Sequence, residues 1–168
     1  MPSLPRVEHW FGLAALIVIL DRASKAVVLE SFAPGESRPV AGFFNLVLVF
    51  NKGAAFSFLA TAQGWQTVFF AAIAVVASVV ISFLIFKNHR KRLFCGGLAL
   101  ILGGALGNLY DRIAYGHVVD FLDFHAMGWH YPAFNVADSA ITIGAGILIA
   151  ESFMHQTGGD KADDEKLA

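Results

Sequence analysis

From Trp65 to Phe86 the chain carries no ionisable side chain. Such a run has few possible homes. A small soluble domain cannot bury a helix that is apolar on every face, whereas about 20 residues at 1.5 Å each cross the hydrocarbon core of a bilayer. Trp65 stands at one end of the run, where an aromatic side chain anchors a helix at the membrane–water interface. Composition supports the same class: 57% of the residues are hydrophobic and 15% charged, against about a quarter charged in soluble domains. Mean hydropathy is +0.62. At 168 residues the chain has room for one domain, 1–168.

Three more stretches read as spans. Residues 9–29 form the first, with Asp21-Arg22-Ala23-Ser24-Lys25 inside it. Those charges stand where a cleaved leader would need small residues, and further spans follow, so a signal peptide is the poorer reading. Residues 93–113 and 133–153 are the third and fourth spans, after 65–86 as the second. Between the first two, residues 30–64 break the helical habit. Pro34-Gly35 and Pro39 mark turns, and two β-favouring runs, 43–50 and 54–59, flank Asn51-Lys52-Gly53. This predicts a hairpin, apolar on both faces and resting on the bilayer surface. Residues 114–132 read as a loop rich in aromatics and His, and 155–168 as a polar, disordered tail. The expected fold is a mainly α membrane protein: four transmembrane helices with a small extracytoplasmic β-hairpin or cradle between helices 1 and 2.

Charge sets the orientation. Lys87, Arg90, Lys91 and Arg92 share one short connector and Arg6 precedes the first span, while the opposite loops offer Arg38, Lys52 and Arg112. The positive-inside rule puts both termini and 87–92 in the cytoplasm, and 30–64 and 114–132 outside. A net charge of −1 provides no basic face for a nucleic-acid partner. Cys95 is the only cysteine, which excludes an intramolecular disulfide and a Cys-based zinc site and leaves it a packing role.

The polar groups of the spans gather at their outer ends. Asp138, in Ala133-Phe134-Asn135-Val136-Ala137-Asp138, is an acid within a membrane-length segment, a costly placement that suggests function. Asp120, in His117-Val118-Val119-Asp120-Phe121, lies in the loop that can dip back beside it. Two carboxyls held close share a proton. One can then act as general base on a water while the other polarises a carbonyl, which hydrolyses an amide with neither metal nor covalent intermediate. The structural alternative makes Asp120 an ordinary loop acid and Asp138 a helix-end charge favoured by the macrodipole. Asp21 and Lys25 are i, i+4 and can pair. Gly103 and Gly107 allow close helix approach, and Gly104, Asn108 and Arg112 share one face.

Two rival chemistries are weaker. A metal site could draw on His117, Asp120, Asp123, His125, His130 and Asp138, but no fixed-spacing ligand motif is present. Ser24, Ser57 and Ser139 lack a Gly-x-Ser-x-Gly elbow. Outside enzymes, an ion relay through Asp21, Lys25, Asp111 and Asp138 is the competitor. It would have to continue inward, where little is ionisable beyond Glu151.

Five separated motifs occur in order: Asp21-Arg22-Ala23-Ser24-Lys25, Asn51-Lys52-Gly53-Ala54-Ala55-Phe56-Ser57, Gly103-Gly104-Ala105-Leu106-Gly107-Asn108-Leu109-Tyr110-Asp111-Arg112, Val118-Val119-Asp120-Phe121 and Phe134-Asn135-Val136-Ala137-Asp138. Together, from about residue 10 to 153, they resemble the lipoprotein signal peptidase (signal peptidase II) family. The resemblance implies a bacterial inner-membrane aspartic endopeptidase with four membrane helices and both termini cytoplasmic. Its partners would be the phospholipid bilayer and diacylglyceryl-modified prolipoproteins, cut just before the lipidated cysteine. No cofactor or metal is implied, and a chain of this size could work alone as a monomer. By motif, Asp120 and Asp138 match the catalytic dyad. Asp21, Lys25, Asn51, Gly53, Gly104, Asn108, Arg112 and Asn135 match positions that shape or support the site. The family's β-cradle and short helix correspond to the 30–64 region and loop 114–132, and sensitivity to the cyclic peptide globomycin is implied. An apolar clamp over the substrate, built from Phe43 to Phe58 and including Phe56, is expected.

Overall fold

The computed structural model describes residues 6–53 and 65–164. In chain order the elements are α1 (Val7–Ser31), β1 (Ser37–Ala41), β2 (Phe44–Asn51), α2 (Trp65–Asn88), α3 (Arg92–Tyr115), β3 (Val118–Ala126), β4 (Trp129–His130) and α4 (Val136–Asp164). Among the described residues three helical segments, Trp65–Asn88, Arg92–Tyr115 and Val136–Met154, are long and apolar enough to cross a membrane. The fourth long helix, α1, falls outside that group by composition because Asp21, Arg22 and Lys25 interrupt it.

The central helix is α3, which packs against α1, α2 and α4. Its small residues make this possible. A Cβ on Gly97 would stand 2.9 Å from the Gly144 carbonyl oxygen of α4, and one on Gly103 would stand 2.7 Å from the Ala14 carbonyl oxygen of α1. Without a hydrophobic force between helices in lipid, such close backbone contact is what holds them. By contrast α2 is nearly bare, with Val68, Val79, Phe83 and Phe86 exposed, the surface a helix offers to acyl chains. At the α2–α3 turn, Trp10 Nε1 donates to the His89 carbonyl at 2.9 Å. Cys95 is fully buried there, its Sγ donating to the Asn88 carbonyl at 3.1 Å.

Two apolar clusters stack along the bundle. Ala14, Ile85, Leu98, Ala99 and Leu102 form one; Val28, Leu48, Val119 and Phe121 join the end of α1 to the sheet in the other. Between them along α1 and α3 lies a polar layer: Asp21, Lys25, Asn108, Asp111, Asp120 and Asn135 are all buried.

The sheet is antiparallel with order β1-β2-β3-β4, and here the expected hairpin needs correction. A hairpin turn lies at Gly42-Phe43, with Ala41 paired to Phe44, whereas the expected turn at Asn51-Lys52-Gly53 leads into residues outside those described. The other neighbour of β2 is β3, from the segment read as a loop. The cause lies in β2 itself: Phe44–Asn51 is apolar on both faces and has a free ladder on both edges, so it takes a partner on each side. Run 54–59, including Phe56 of the expected clamp, lies outside the described residues. Residues 114–132 hold no separate short helix: after the last residues of α3 they are strand and turn.

Two ends of α4 also differ. Ala133-Phe134-Asn135 is extended, with Phe134 and Leu122 exchanging backbone hydrogen bonds of 2.8 and 3.1 Å, so the helix begins at Val136 and Asp138 sits in its first turn. At the other end the backbone stays helical to Asp164 where the sequence reads as disordered. Extending an existing helix avoids the cost of nucleation.

Candidate active site

Asp120 and Asp138 open on one cavity of about 690 Å³, whose wall also includes Asn51, Gly53, Asn108 and Arg112. They arrive there by different routes. Asp120 is carried by β3, opposite Val49 of β2, and is buried. Asp138 is in the first turn of α4, where the unpaired N–H groups and the dipole favour a carboxylate.

Three asparagine amides frame the two acids. Asn51 Nδ2 donates to Asp120 Oδ2 at 3.0 Å, and Asn135 Nδ2 donates to Asp120 Oδ1 at 2.7 Å. Asn108 Nδ2 donates to Asp138 Oδ1 at 2.7 Å. Each amide is held in turn: Asn51 Oδ1 accepts from the Gly53 N–H at 3.0 Å, and Asn108 Oδ1 accepts from Lys25 Nζ at 3.1 Å. Asn135 Oδ1 accepts from the Asp138 N–H at 2.9 Å. Asn135 therefore caps α4 and orients Asp120 with the same side chain.

Burial pushes the Asp120 carboxyl up to about 6, with the nearby Asp138 adding to the effect, against the hydrogen bonds from Asn51 and Asn135 that pull it down. Such a group takes up a proton far more readily than a free aspartate. Arg112 brings positive charge to the rim. Its Nη1 donates to the Asn108 carbonyl at 3.2 Å and its Nη2 to the Gly53 carbonyl at 3.5 Å.

Beneath the amides lies a layer of ions. Lys25 Nζ stands 2.8 Å from Asp21 Oδ2 and 2.7 Å from Asp111 Oδ2, all three fully buried. Arg22 pairs with Asp111 Oδ1 and lies over the Tyr110 ring, 4.1 Å from its centroid. Gly104 leaves no room for a side chain because a Cβ there would strike the Ala137 carbonyl of α4. All ten residues named from the sequence thus lie at the cavity or in the layers directly behind it. Sequence reasoning passed over Asp111 and Arg22 as supporting groups; their position inside the same motifs as Asn108 and Lys25 was the available signal.

The histidines of 114–132 go elsewhere. His130 Nδ1 lies 2.9 Å from Asp123 Oδ1, the His125 ring stacks on His130 with centroids 4.9 Å apart, and His117 packs against Phe50. Among the described residues no three His, Cys, Asp or Glu side chains are grouped so as to hold a metal ion.

Fold and site together define a helical membrane protein with a carboxyl pair at the mouth of its bundle. The sequence model of the Signal peptidase (SPase) II family matches residues 13–154, and the chain belongs to that family of peptidases. It is 58% identical over 145 residues to the lipoprotein signal peptidase of Ralstonia nicotianae, covering 86% of this chain and 84% of the relative. With the lipoprotein signal peptidase of Burkholderia multivorans it shares 52% over 157 residues, covering 94% and 95%. Two solved bacterial membrane enzymes have the same fold. One matches with a TM-score of 0.83 at 28% identity, covering 94% of this chain and 95% of the other. The second matches at 0.77 and 29%, covering 90% and 96%.

Proposed function

We propose that this chain is an intramembrane aspartic endopeptidase that removes the signal peptide from diacylglyceryl-modified prolipoproteins, cutting just before the lipidated cysteine. The observation that carries the reading is the pair itself: two carboxyls on one cavity, each with its own amide donor, one of them raised to about 6. Membership of the signal peptidase II family and relatives named lipoprotein signal peptidase support it.

In this mechanism the active form of the pair holds one proton, which Asp120 carries below about pH 6. Asp138 takes a proton from a water as that water attacks the scissile carbonyl, and Asp120 donates to the carbonyl oxygen. Asn108 and Asn135 keep the carboxyls aimed while their charges change. Arg112 offers positive charge to the oxyanion that forms at the rim. No cofactor enters the chemistry.

The same reading sets the topology: four transmembrane helices including α1, both termini and 87–92 cytoplasmic, and the cavity at the outer face of the bacterial inner membrane. Three of the four helices have the length and composition to span. In α1 the ionisable groups that spoil the composition are paired inside the bundle, which offsets part of the cost of placing them there. The lipid-anchored substrate enters from the bilayer with its acyl chains in the hydrocarbon, one monomer is sufficient, and globomycin blocks the cavity.

The test is purified enzyme with a lipidated prolipoprotein. Asp120→Asn and Asp138→Asn, assayed separately, should each lose cleavage by roughly four orders of magnitude or more, as loss of a member of a cooperating catalytic set does. Near-normal cleavage by either variant ends the proposal.

A further inference from the structure

We propose that Lys25, Asp21 and Asp111 form a clamp that sets the separation of the two site aspartates by gripping the peptide N–H immediately before each one. The proposal rests on the dyad reading and assigns these three side chains as positioning residues.

The bond inventory carries it. Asp21 Oδ1 accepts the Ala137 N–H at 3.0 Å, one residue before Asp138. Asp111 Oδ2 accepts the Val119 N–H at 3.2 Å, one residue before Asp120. The second oxygen of Asp21 and the same Oδ2 of Asp111 both meet Lys25 Nζ, at 2.8 and 2.7 Å. Besides these two ion pairs, Lys25 Nζ donates a hydrogen bond to Asn108 Oδ1 at 3.1 Å, whose amide then donates to Asp138. One buried ammonium therefore joins α1, α3, β3 and α4 at the level of the site.

Among the described residues no other side chain does this. Ala137 is in the first turn of α4, where no carbonyl of the helix can accept its N–H, and its partner comes from α1. Gly107 keeps the space: a Cβ there would stand 2.8 Å from Asp21 Oδ2. Arg22 closes the outer side of Asp111, which balances two buried carboxylates with two cations. A simple neutralising role for Lys25 would need no aim at the two peptides.

Exchange of backbone amides in the wild-type enzyme in detergent gives a direct test that needs no variant. Ala137 N–H should exchange as slowly as the interior of α4, together with Val119 N–H; exchange of Ala137 at the rate of a free first-turn amide overturns the clamp. The kinetic test uses Asp21→Asn and Asp111→Asn, which keep shape and release one side each. Cleavage should fall roughly 10- to 100-fold in kcat, as for reacting groups displaced by about 1 Å, with KM within about twofold because the cavity wall is untouched. A folded variant that melts earlier but keeps its kcat overturns the clamp. Asp120→Asn in the same assay separates the two ideas. If it is inactive while both clamp variants are normal, the clamp alone fails; if it is active, the dyad reading fails.

Discussion

Asp120 is the residue whose surroundings make the sharpest demand. It is held by two amide donors, shares a cavity with a second carboxyl and is buried, and burial with Asp138 moves its carboxyl from 3.8 to about 6. The active pair in the proposed mechanism holds one proton. Below about 6 that proton is present, and above it the proton leaves, so kcat/KM measured on the free enzyme should decline on the alkaline side of about pH 6. In Asp120→Asn the residual rate should show no such limb. A flat wild-type profile from pH 5 to pH 8 would count against Asp120 as proton holder. The sign for folding follows from the same shift. The folded state binds the proton more tightly than the unfolded one, so this group's contribution to stability is full below 3.8 and is lost as pH rises through about 6. Asp120 and Asp138 were legible in the sequence because acids in apolar surroundings are rare and their motifs are distinctive. The role of Asp111 was not, since it depends on Lys25, Arg22 and Val119, which come from two other elements.

At the scale of elements, α3 against α4 fixes how far the Asp138 helix stands from the rest of the site. Gly104 is the narrowest point, where any Cβ would press on the Ala137 carbonyl. Gly104→Ala should push α4 outward, destabilising the protein by about 1–3 kcal/mol as overpacking does. It should also lower kcat, because Asn108 and Asp138 no longer meet at 2.7 Å. Thermal unfolding in detergent and a cleavage assay check the two halves, and a normal melting temperature with normal turnover would show that α4 tolerates the shift. Helices were legible from apolar length, but β3 was not. Val118, Val119, Asp120 and Phe121 are buried in succession, which breaks the alternation by which a strand is recognised. The register between β2 and β3 shifts between Leu46 and Val49, with the extra residue in β2, and a bulge of this kind turns its consecutive Val47 and Leu48 toward the same interior. The start of α4 was misplaced for a related reason: Phe134 is apolar enough to read as helix, yet its backbone is committed to Leu122.

For the whole molecule, the arrangement of ionisable groups argues for a site at one face. Apart from Asp123, which pairs with His130 in the sheet, the buried charges among the described residues, Asp21, Lys25, Asp111 and Asp120, lie in one layer between two apolar clusters, so an ion relay through the bundle would have to cross the cluster of Ala14, Ile85, Leu98, Ala99 and Leu102. Whether that layer faces outward is decided by topology, and the chain is well suited to the measurement. Its single thiol, Cys95, is fully buried, so background labelling in intact cells should be small. Met127, at the tip of the β3–β4 turn with φ 51, is fully exposed. Arg90, between α2 and α3, is exposed as well. A membrane-impermeant maleimide should label Met127→Cys in intact cells, and should label Arg90→Cys only after the membrane is opened, since Lys87, Lys91 and Arg92 still hold that turn inside. Labelling of Arg90→Cys and not of Met127→Cys in intact cells would place the carboxyl pair on the cytoplasmic side. It would then be out of reach of a signal peptide whose lipidated cysteine lies at the outer surface.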